Sequence, residues 1–338
     1  MIRLPTLYLF LLACIVLAAC SPQVRMPASH VAQDGEQVAA AINARYQSRT
    51  VECAGEKPAY FCAGVIYRAI YWNPLYHFWN NRQDPNYDGV SFSYLHYYSG
   101  DRRTFHPAGY ILGPASEWGQ GGSRPLAMYC SFTFDGWTGP NRGIHGCGKN
   151  EEIVGSEPCA EQGIDTVSKY ARHFVDAPNG SVGRWMHSCS FATNWRAFLL
   201  SILARQGGAL EQLDVRYSEQ VISNWPEGLP TALPIEALYY DPEHHNFDPE
   251  HKEVSGIGLD NARALQADYR AVTGRTLWIL RFNQNPRLPL FTFHPEDQQD
   301  EASQPVLHRP AGVTPTGGGP LTYHEDEAKA GVGSVPSP

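Results

Sequence analysis

Six cysteines between residues 53 and 189 constrain the fold of this chain more than any other feature of its sequence. The chain has 338 residues and eight cysteines, and the other two, Cys14 and Cys20, lie near the N-terminus. An even set of cysteines in an exported protein is typical of disulfides, and six cysteines allow 15 connectivities that sequence does not separate. We predict neighbour pairing, in which each bond closes a short loop and stabilises the fold by about 2–4 kcal/mol: Cys53 with Cys62, Cys130 with Cys147, and Cys159 with Cys189.

The expectation of export rests on residues 1–19. Arg3 precedes an apolar run that ends at Leu17, which is shorter than the roughly 20 residues that cross a bilayer, so this segment is typical of a secretory signal. The ending Leu17-Ala18-Ala19-Cys20 resembles the lipobox of bacterial lipoproteins. The resemblance implies acylation of Cys20, anchoring to a membrane through the lipid and, because Ser21 follows, the outer membrane of a Gram-negative bacterium. An ordinary cleaved signal is the alternative.

The charge and the composition narrow the class of partner. The formal net charge is −8 with histidine neutral and becomes −9 when Arg3 is removed with the signal. Binding to phosphate backbones usually draws on a basic face, so we expect no nucleic-acid partner. Aromatic residues make up 12% of the chain, which is typical either of a large packed core or of a surface that stacks on flat ligands.

The chain divides into four segments. Residues 1–19 are the predicted signal, and the polar, proline-bearing residues 20–33 are a predicted tether. Residues 34–293 are the predicted folded domain. Residues 294–338 are rich in Pro, Gly, Glu and Asp and contain few large apolar side chains, so we expect a disordered tail.

Periodicity predicts four helices and six strands, interleaved without regular βαβ alternation. The helices begin near Asp34, span Thr166 to Val175, follow the apolar period from Phe191 to Leu203, and span Asp260 to Val272. The predicted strands are Tyr60–Ile70, Val90–Tyr94, Gly109–Leu112, Ala127–Phe134, Ile235–Tyr240 and Leu277–Phe282. The predicted fold class is therefore α+β, with a mixed or antiparallel sheet, core helices and disulfides.

Polar residues inside strand patterns are the candidates for chemistry. Arg68 interrupts an apolar run, where a lone cation requires an anion or a path to water. Ser91 and Ser93 flank Phe92, so their hydroxyls share the face of the strand that Phe92 does not occupy. A structural cation and the solvated face of an edge strand are the competing interpretations.

Three stretches carry a resemblance to a known family: Lys57-Pro58-Ala59-Tyr60-Phe61-Cys62-Ala63-Gly64-Val65, Gly89-Val90-Ser91-Phe92-Ser93-Tyr94-Leu95, and Cys130-Ser131-Phe132 with Arg142 and Gly146-Cys147-Gly148. Together with Cys189-Ser190-Phe191 and Thr273-Gly274, they make the chain similar to the halovibrins from about Cys53 to Phe282. Halovibrins are secreted bacterial proteins associated with ADP-ribosyl transfer and NAD hydrolysis. The resemblance implies that NAD is the substrate, that no cofactor is needed, and that water or a protein side chain is the acceptor.

Chemistry indicates which residues such a reaction needs. An Arg holds the pyrophosphate, hydroxyls hold the ribose, and a carboxylate stabilises the oxocarbenium-like transition state. Arg68, then Ser91 with Ser93, then Glu219 or Glu236 follow the order found in ADP-ribosyltransferases of the arginine-serine-glutamate type. Tyr94 lies beside the two serines, and His77 and Trp79 are candidates for covering a planar ring of the substrate.

Other interpretations remain open for these residues. Glu219 is also consistent with a surface acid, Glu236 with an outward position on a strand, and His77 and Trp79 with packing under a loop. The segment from Asp241 to His251 holds three histidines and four acids, but its two prolines favour a solvated loop over a metal site. A non-enzymatic lipoprotein that binds glycan or envelope components through Tyr and Trp is the alternative function, and a hydrolase of another glycosidic bond is the third.

Overall fold

A computed structural model describes residues 34–70, 77–80, 87–100, 102–120, 123, 125–136, 138–151, 153–176, 188–206, 217–225, 230, 233–244 and 257–298. The predicted signal, the predicted lipid site at Cys20, the predicted tether and the part of the predicted tail after residue 298 lie outside these residues. All described residues belong to one compact unit.

The centre of the fold is a mixed sheet of eight strands. Its order is β10-β9-β8-β5-β3-β4-β7-β6, and every neighbouring pair is antiparallel except β8 with β9. A separate two-stranded sheet joins β1 to β2. The strands are β1 Glu52–Cys53, β2 Lys57–Pro58, β3 Val65–Ala69, β4 Gly89–Leu95, β5 Ala108–Leu112, β6 Met128–Phe132, β7 Glu219–Ser223, β8 Ile235–Tyr240, β9 Ile279–Phe282 and β10 Phe291–Phe293.

The described residues also form four α-helices: α1 Gly35–Gln47, α2 Val167–Asp176, α3 Trp195–Leu203 and α4 Ile257–Thr273. Asp34 caps α1 by accepting a hydrogen bond from the Gln37 N–H, and Asn194 caps α3 in the same way from Ala197. The predicted third helix begins later than expected, because Phe191 pairs with Ser131 in a β-bridge before the cap at Asn194. None of the described helices is long and apolar enough to cross a membrane. The predicted α+β class with a mixed sheet is confirmed.

Both faces of the large sheet are covered. On one face, which we call the α4 face, Phe92, Tyr110 and Ile222 pack in a cluster with side chains of α3 and α4. On the other face, the α1 face, Tyr67 and Tyr239 pack against α1. Because successive residues of a strand point to opposite faces, the strand register decides which polar side chains meet.

The three disulfides have the predicted pairing. Cys53 bonds to Cys62, Cys130 to Cys147 and Cys159 to Cys189, with Cα–Cα distances of 6.0, 6.0 and 5.0 Å. Cys159 and Cys189 are fully buried in a cluster that α2 shares with Phe134 and Phe191. This disulfide therefore ties α2 and its flanking loops to the sheet.

The folded region extends through Gln298, past the predicted boundary at residue 293. Buried Asp297 accepts hydrogen bonds from Tyr240 at 2.7 Å and from the guanidinium of Arg281. The side-chain amide of Gln298 bonds to both backbone groups of Ile279 in β9. Residues 294–298 are polar, but these bonds make them part of the fold.

Candidate functional site

The candidate site forms around Glu219, the first residue of β7. Strand β7 lies between β4 and β6, with Glu219 opposite Phe132 and Val221 opposite Ser91. The side chain of Glu219 is on the face opposite Ile222, which belongs to the α4 face. Glu219 is only 4% exposed, so it is not the surface acid that the polar sequence after it allowed.

Three donors converge on the Glu219 carboxyl group. The hydroxyls of Ser91 and Thr138 both donate to Oε1 through short hydrogen bonds. The backbone N–H of Gly136 donates to Oε2 at 2.6 Å. A side chain on Gly136 would lie 2.6 Å from the Phe132 ring, so the glycine is what allows this backbone to approach. Ser91 is exposed and marks where the site meets solvent.

Burial dominates the electrostatics of Glu219. Burial, followed by the charge of nearby Asp135, raises the pKa of the carboxyl group to about 8, although the three donors oppose the shift. Asp135 is itself held by the Tyr217 hydroxyl, which donates to it at 2.6 Å. A carboxyl group with this pKa is mostly protonated at neutral pH and ionises slightly above it, a property common at catalytic sites.

The Tyr87 hydroxyl is a further polar group at this site. Its oxygen is buried next to the hydroxyls of Ser91 and Thr138, and among the described residues it has no hydrogen bond of regular geometry. Burial, followed by the charge of Glu219, raises the pKa of Tyr87 to about 12. Tyr87 is therefore a neutral hydroxyl group at the site, and the hydroxyls of Ser91 and Thr138 lie beside it.

Arg68 lies on the α4 face, opposite to Ser91 and Glu219. Its guanidinium carbon is 5.8 Å from the ring centroid of Phe92 and 6.0 Å from that of Trp225. No carboxylate among the described residues is within ion-pair distance of it, so the competing interpretation of a cation paired with a buried carboxylate has no support in this part of the chain. The sheet separates Arg68 from the Glu219 carboxyl group.

Glu236 occupies a separate place in β8. Arg45 of α1 binds both of its carboxylate oxygens, one of them at 3.0 Å, and both side chains are largely buried. The two glutamates that the sequence offered as alternatives are thus distinguished by their partners. Glu236 is neutralised by a cation of the fold, and Glu219 is bound by neutral donors.

Of the remaining predicted binding residues, Ser93 lies across the strand pair from Glu219, because Phe92 is opposite Gln220, whereas Tyr94, His77 and Trp79 lie elsewhere. Tyr94 is buried on the α4 face, and its hydroxyl donates to the backbone oxygen of Ala63 at 2.9 Å. His77 stacks on buried Trp79 with ring centroids 4.4 Å apart, and its Nδ1 lies 2.6 Å from Asp268 of α4. Ser93 shares the face of Ser91 and is buried.

Sequence reasoning missed four groups of the site: Tyr87, Asp135, Gly136 and Thr138. The last three lie in the loop that follows β6, where no helical or strand period exists. They reach Glu219 because β6 pairs with β7, and the Cys130–Cys147 disulfide closes the loop that holds them. The only signal in the sequence was the pair of cysteines that encloses this loop.

The His- and acid-rich segment is described only as far as His244. There, Asp241 and His244 both contact the Thr104 hydroxyl, and Asp241 also accepts from Gln284 at 2.9 Å. The described residues contain no group of three or more His, Cys, Asp or Glu side chains that could hold a metal ion. The remainder of the segment, residues 245–251, lies outside the described residues.

Comparison with protein-family models, with curated proteins and with solved structures finds no match to this chain.

Proposed function

We propose that this chain is an exported, lipid-anchored enzyme that cleaves the bond between nicotinamide and ribose in NAD, with Glu219 as the catalytic carboxylate. The observation that carries the proposal is the buried Glu219 carboxyl group, bound by neutral donors and adjacent to the exposed Ser91. Such a group is costly to keep in a core, since burial disfavours its charged form. Groups of this kind are concentrated at functional sites.

The chemistry of NAD fits an ionisable carboxyl group. The nicotinamide ring is cationic in the substrate and leaves as a neutral molecule with the electrons of the glycosidic bond. The ribose then develops positive charge, which an adjacent carboxylate stabilises. The approach of a cationic ring lowers the pKa of Glu219 and so favours the ionised form that the reaction needs. Water attacks the ribose and transfers a proton to the carboxylate in the hydrolase form of the reaction; a protein side chain replaces water in a transferase.

The hydroxyl groups around Glu219 have a role in this scheme. Ser91 and Thr138 already hold Oε1 and fix its position. Tyr87 adds a donor that lacks a regular partner, and a ribose hydroxyl is a suitable acceptor for it. Because Arg68 lies on the other face of the sheet, the proposal assigns it no contact with the reacting ribose.

The test is nicotinamide release by the purified, disulfide-intact protein incubated with NAD. We expect release above background for the natural chain and a loss of about 10²–10⁴-fold for Glu219→Gln, which keeps the shape of the side chain but not its charge. Glu236→Gln is the matched control, because it neutralises the other candidate carboxylate and should leave turnover in place. Full activity in Glu219→Gln would eliminate this mechanism, and no release from the natural folded chain would eliminate the function.

The distribution of aromatic side chains gives less support to a glycan-binding surface. Among the described residues, Tyr97 and Phe105 are the only exposed Tyr, Trp or Phe side chains, and they are 41% and 38% exposed. Most of the other described rings pack in the two clusters that cover the sheet. A stacking groove would need several exposed rings in a row.

A further inference from the structure

The loop between β6 and Cys147 brings two of the three donors to Glu219. Gly136 and Thr138 both lie within it, and the Cys130–Cys147 disulfide closes it. Cys130 is opposite Val221 in the β6–β7 pair, so one end of the bond is fixed in the sheet beside the strand that carries Glu219. The other end, Cys147, follows the loop.

Contacts near Cys147 hold the returning half of this loop against the site. The Asp88 N–H donates to the Ile144 oxygen at 2.6 Å. The α-carbon of Gly146 packs so closely on Tyr87 that a Cβ would lie 2.7 Å from the ring. The Ser190 hydroxyl donates to the Cys147 oxygen at 2.6 Å. The last residues before the disulfide therefore set the position of Tyr87 as well.

Arg142 is the internal support of the loop. It is 1% exposed, and its guanidinium group donates to the backbone oxygens of Gly148, Ser156 and Ser188 at 3.0, 3.0 and 3.1 Å. The same group lies 5.1 Å from the ring centroid of Phe132, the residue opposite Glu219. Two of these bonds join the loop to the segments that contain Ser156 and Ser188. They form only when the end of the loop at Cys147 lies close to those segments.

We propose that the Cys130–Cys147 disulfide assembles the Glu219 site, so that the chain carries an unformed site until this bond exists. Without the bond, the loop retains only its hydrogen bonds and packing contacts, and these must also overcome the restored loop entropy. Gly136 and Thr138 then separate from Glu219, and water reaches the carboxyl group. If the proposed function holds, NAD cleavage begins only after the chain has been exported to an oxidising compartment, and this consequence rests on that function.

The bond is also open to reduction. A dithiol that attacks the sulfur of Cys147 supplies two electrons and two protons, and it becomes a disulfide while Cys130 and Cys147 become thiols. Cys147 is half-buried and Cys62 is exposed, whereas Cys159 and Cys189 are fully buried. Reduction of the folded chain should therefore spare the Cys159–Cys189 bond. This bond anchors Ser188 and Ser190, which contact Arg142 and Cys147.

The experiment compares the full chain carrying Cys130→Ser and Cys147→Ser with a matched chain carrying Cys53→Ser and Cys62→Ser. The control removes a disulfide that serves the small β1–β2 sheet and touches no group of the site. We expect nicotinamide release to fall about 100-fold in the first variant, because displaced catalytic donors cost that much, and to change little in the second. Equal activity in the two variants would overturn the inference.

A second measurement separates this inference from the proposed function. The Glu219→Gln substitution is added to each of the two serine variants. The urea midpoint of each variant is then compared with and without this substitution, at about pH 5 and at about pH 8.5. In the variant that keeps the Cys130–Cys147 bond, the stability gained from Glu219→Gln should be larger at about pH 8.5 than at about pH 5. In the variant that lacks this bond, the gain should be the same at the two pH values. If the natural chain releases no nicotinamide but this pH effect disappears without the Cys130–Cys147 bond, the function fails and the inference stands.

Should the serine variant not fold, the natural chain can be tested after folding. Brief treatment with a dithiol, alkylation of the exposed thiols and mass analysis yield fractions modified at Cys130 and Cys147 or at Cys53 and Cys62. Loss of the pH effect and of nicotinamide release only in the first fraction supports the inference. Retention of both in that fraction contradicts it.

Discussion

Glu219 should make the stability of this protein depend on pH in a direction that is unusual for a carboxyl group. Its pKa is raised from 4.5 to about 8 in the fold. Between these values the folded chain keeps a proton that the unfolded chain has released, so the free energy of unfolding falls as pH rises. The slope approaches about 1.4 kcal/mol per pH unit. Urea unfolding of the natural chain and of Glu219→Gln from about pH 4 to pH 9 should show a gap that widens in favour of the substituted chain.

The control for this measurement is Glu36→Gln in the first turn of α1, where the side chain is exposed. It changes the net charge by the same amount without removing a buried group. A gap between Glu219→Gln and the natural chain that stays constant over the whole range would show that Glu219 titrates as it does in the unfolded chain. The same ionisation predicts that kcat/KM for NAD rises with pH towards about 8.

Glu236 should matter for stability and not for turnover. Replacing it with Gln leaves the guanidinium group of Arg45 largely buried without its anion, and we expect a loss of about 1–3 kcal/mol in the free energy of unfolding. Removing both charges, with Arg45→Met and Glu236→Gln together, should recover part of that loss, because no unpaired charge remains. Nicotinamide release by the folded Glu236→Gln chain distinguishes the two glutamates, and its loss there would make Glu236 the better candidate.

At the level of elements, the sequence predicted those whose apolar pattern alone determines them. The apolar run Ile235–Tyr240 coincides with β8, and Asp34 caps α1 at the predicted start of the helix. The apolar period of this helix predicts a buried stripe of Val38, Ala41, Ile42 and Arg45, but Ala41 is exposed, while Ala39 and Tyr46 are buried. The helix was therefore identified correctly, although its buried face was partly misassigned.

Strand β7 and the loop after β6 could not be predicted in this way. Glu219 and Gln220 are polar and buried, so no apolar period marks this strand, and Glu219 is held by partners distant in sequence. Strand pairing also decides the positions of Arg68 and Ser91, which the sequence analysis assigned to one substrate site. Their positions on opposite faces follow from the register of β3 against β4, which depends on how the strands pair.

Gly109 is a point where the sheet tolerates no side chain. It lies in β5 between β3 and β8, and a Cβ there would overlap the backbone oxygen of Arg68 and lie 2.9 Å from the Tyr239 ring. We expect Gly109→Ala to cost roughly 3 kcal/mol, because backbone at the centre of a sheet cannot move aside. Gly163→Ala is the comparison: it has a φ of 67° and open space around it, so only backbone strain of about 1 kcal/mol applies. Equal losses by urea unfolding would argue against the overlap.

At the level of the whole domain, residues 294–298 form hydrogen bonds with β8, β9 and α4. Asp297 is 3% exposed and binds Tyr240 and Arg281, while Arg263 of α4 donates to the backbone oxygen of Asp297 at 3.0 Å. These bonds join α4 to two strands through one short segment. The composition of the chain placed this segment in the tail, since no apolar residue marks it.

A chain that ends at residue 293 should therefore be less stable than one that ends at residue 298. Its truncation removes the anion of Arg281 and both bonds from Gln298 to Ile279, and it leaves Tyr240 without its buried partner. Each unsatisfied buried group costs about 1–3 kcal/mol, so the combined loss should be easily measured by urea unfolding. In the longer chain, Asp297→Asn should reproduce much of the effect, because the amide accepts hydrogen bonds but does not balance the charge of Arg281. Equal unfolding midpoints for the two truncated chains would show that residues 294–298 contribute nothing to the fold and that the domain ends where its apolar sequence does.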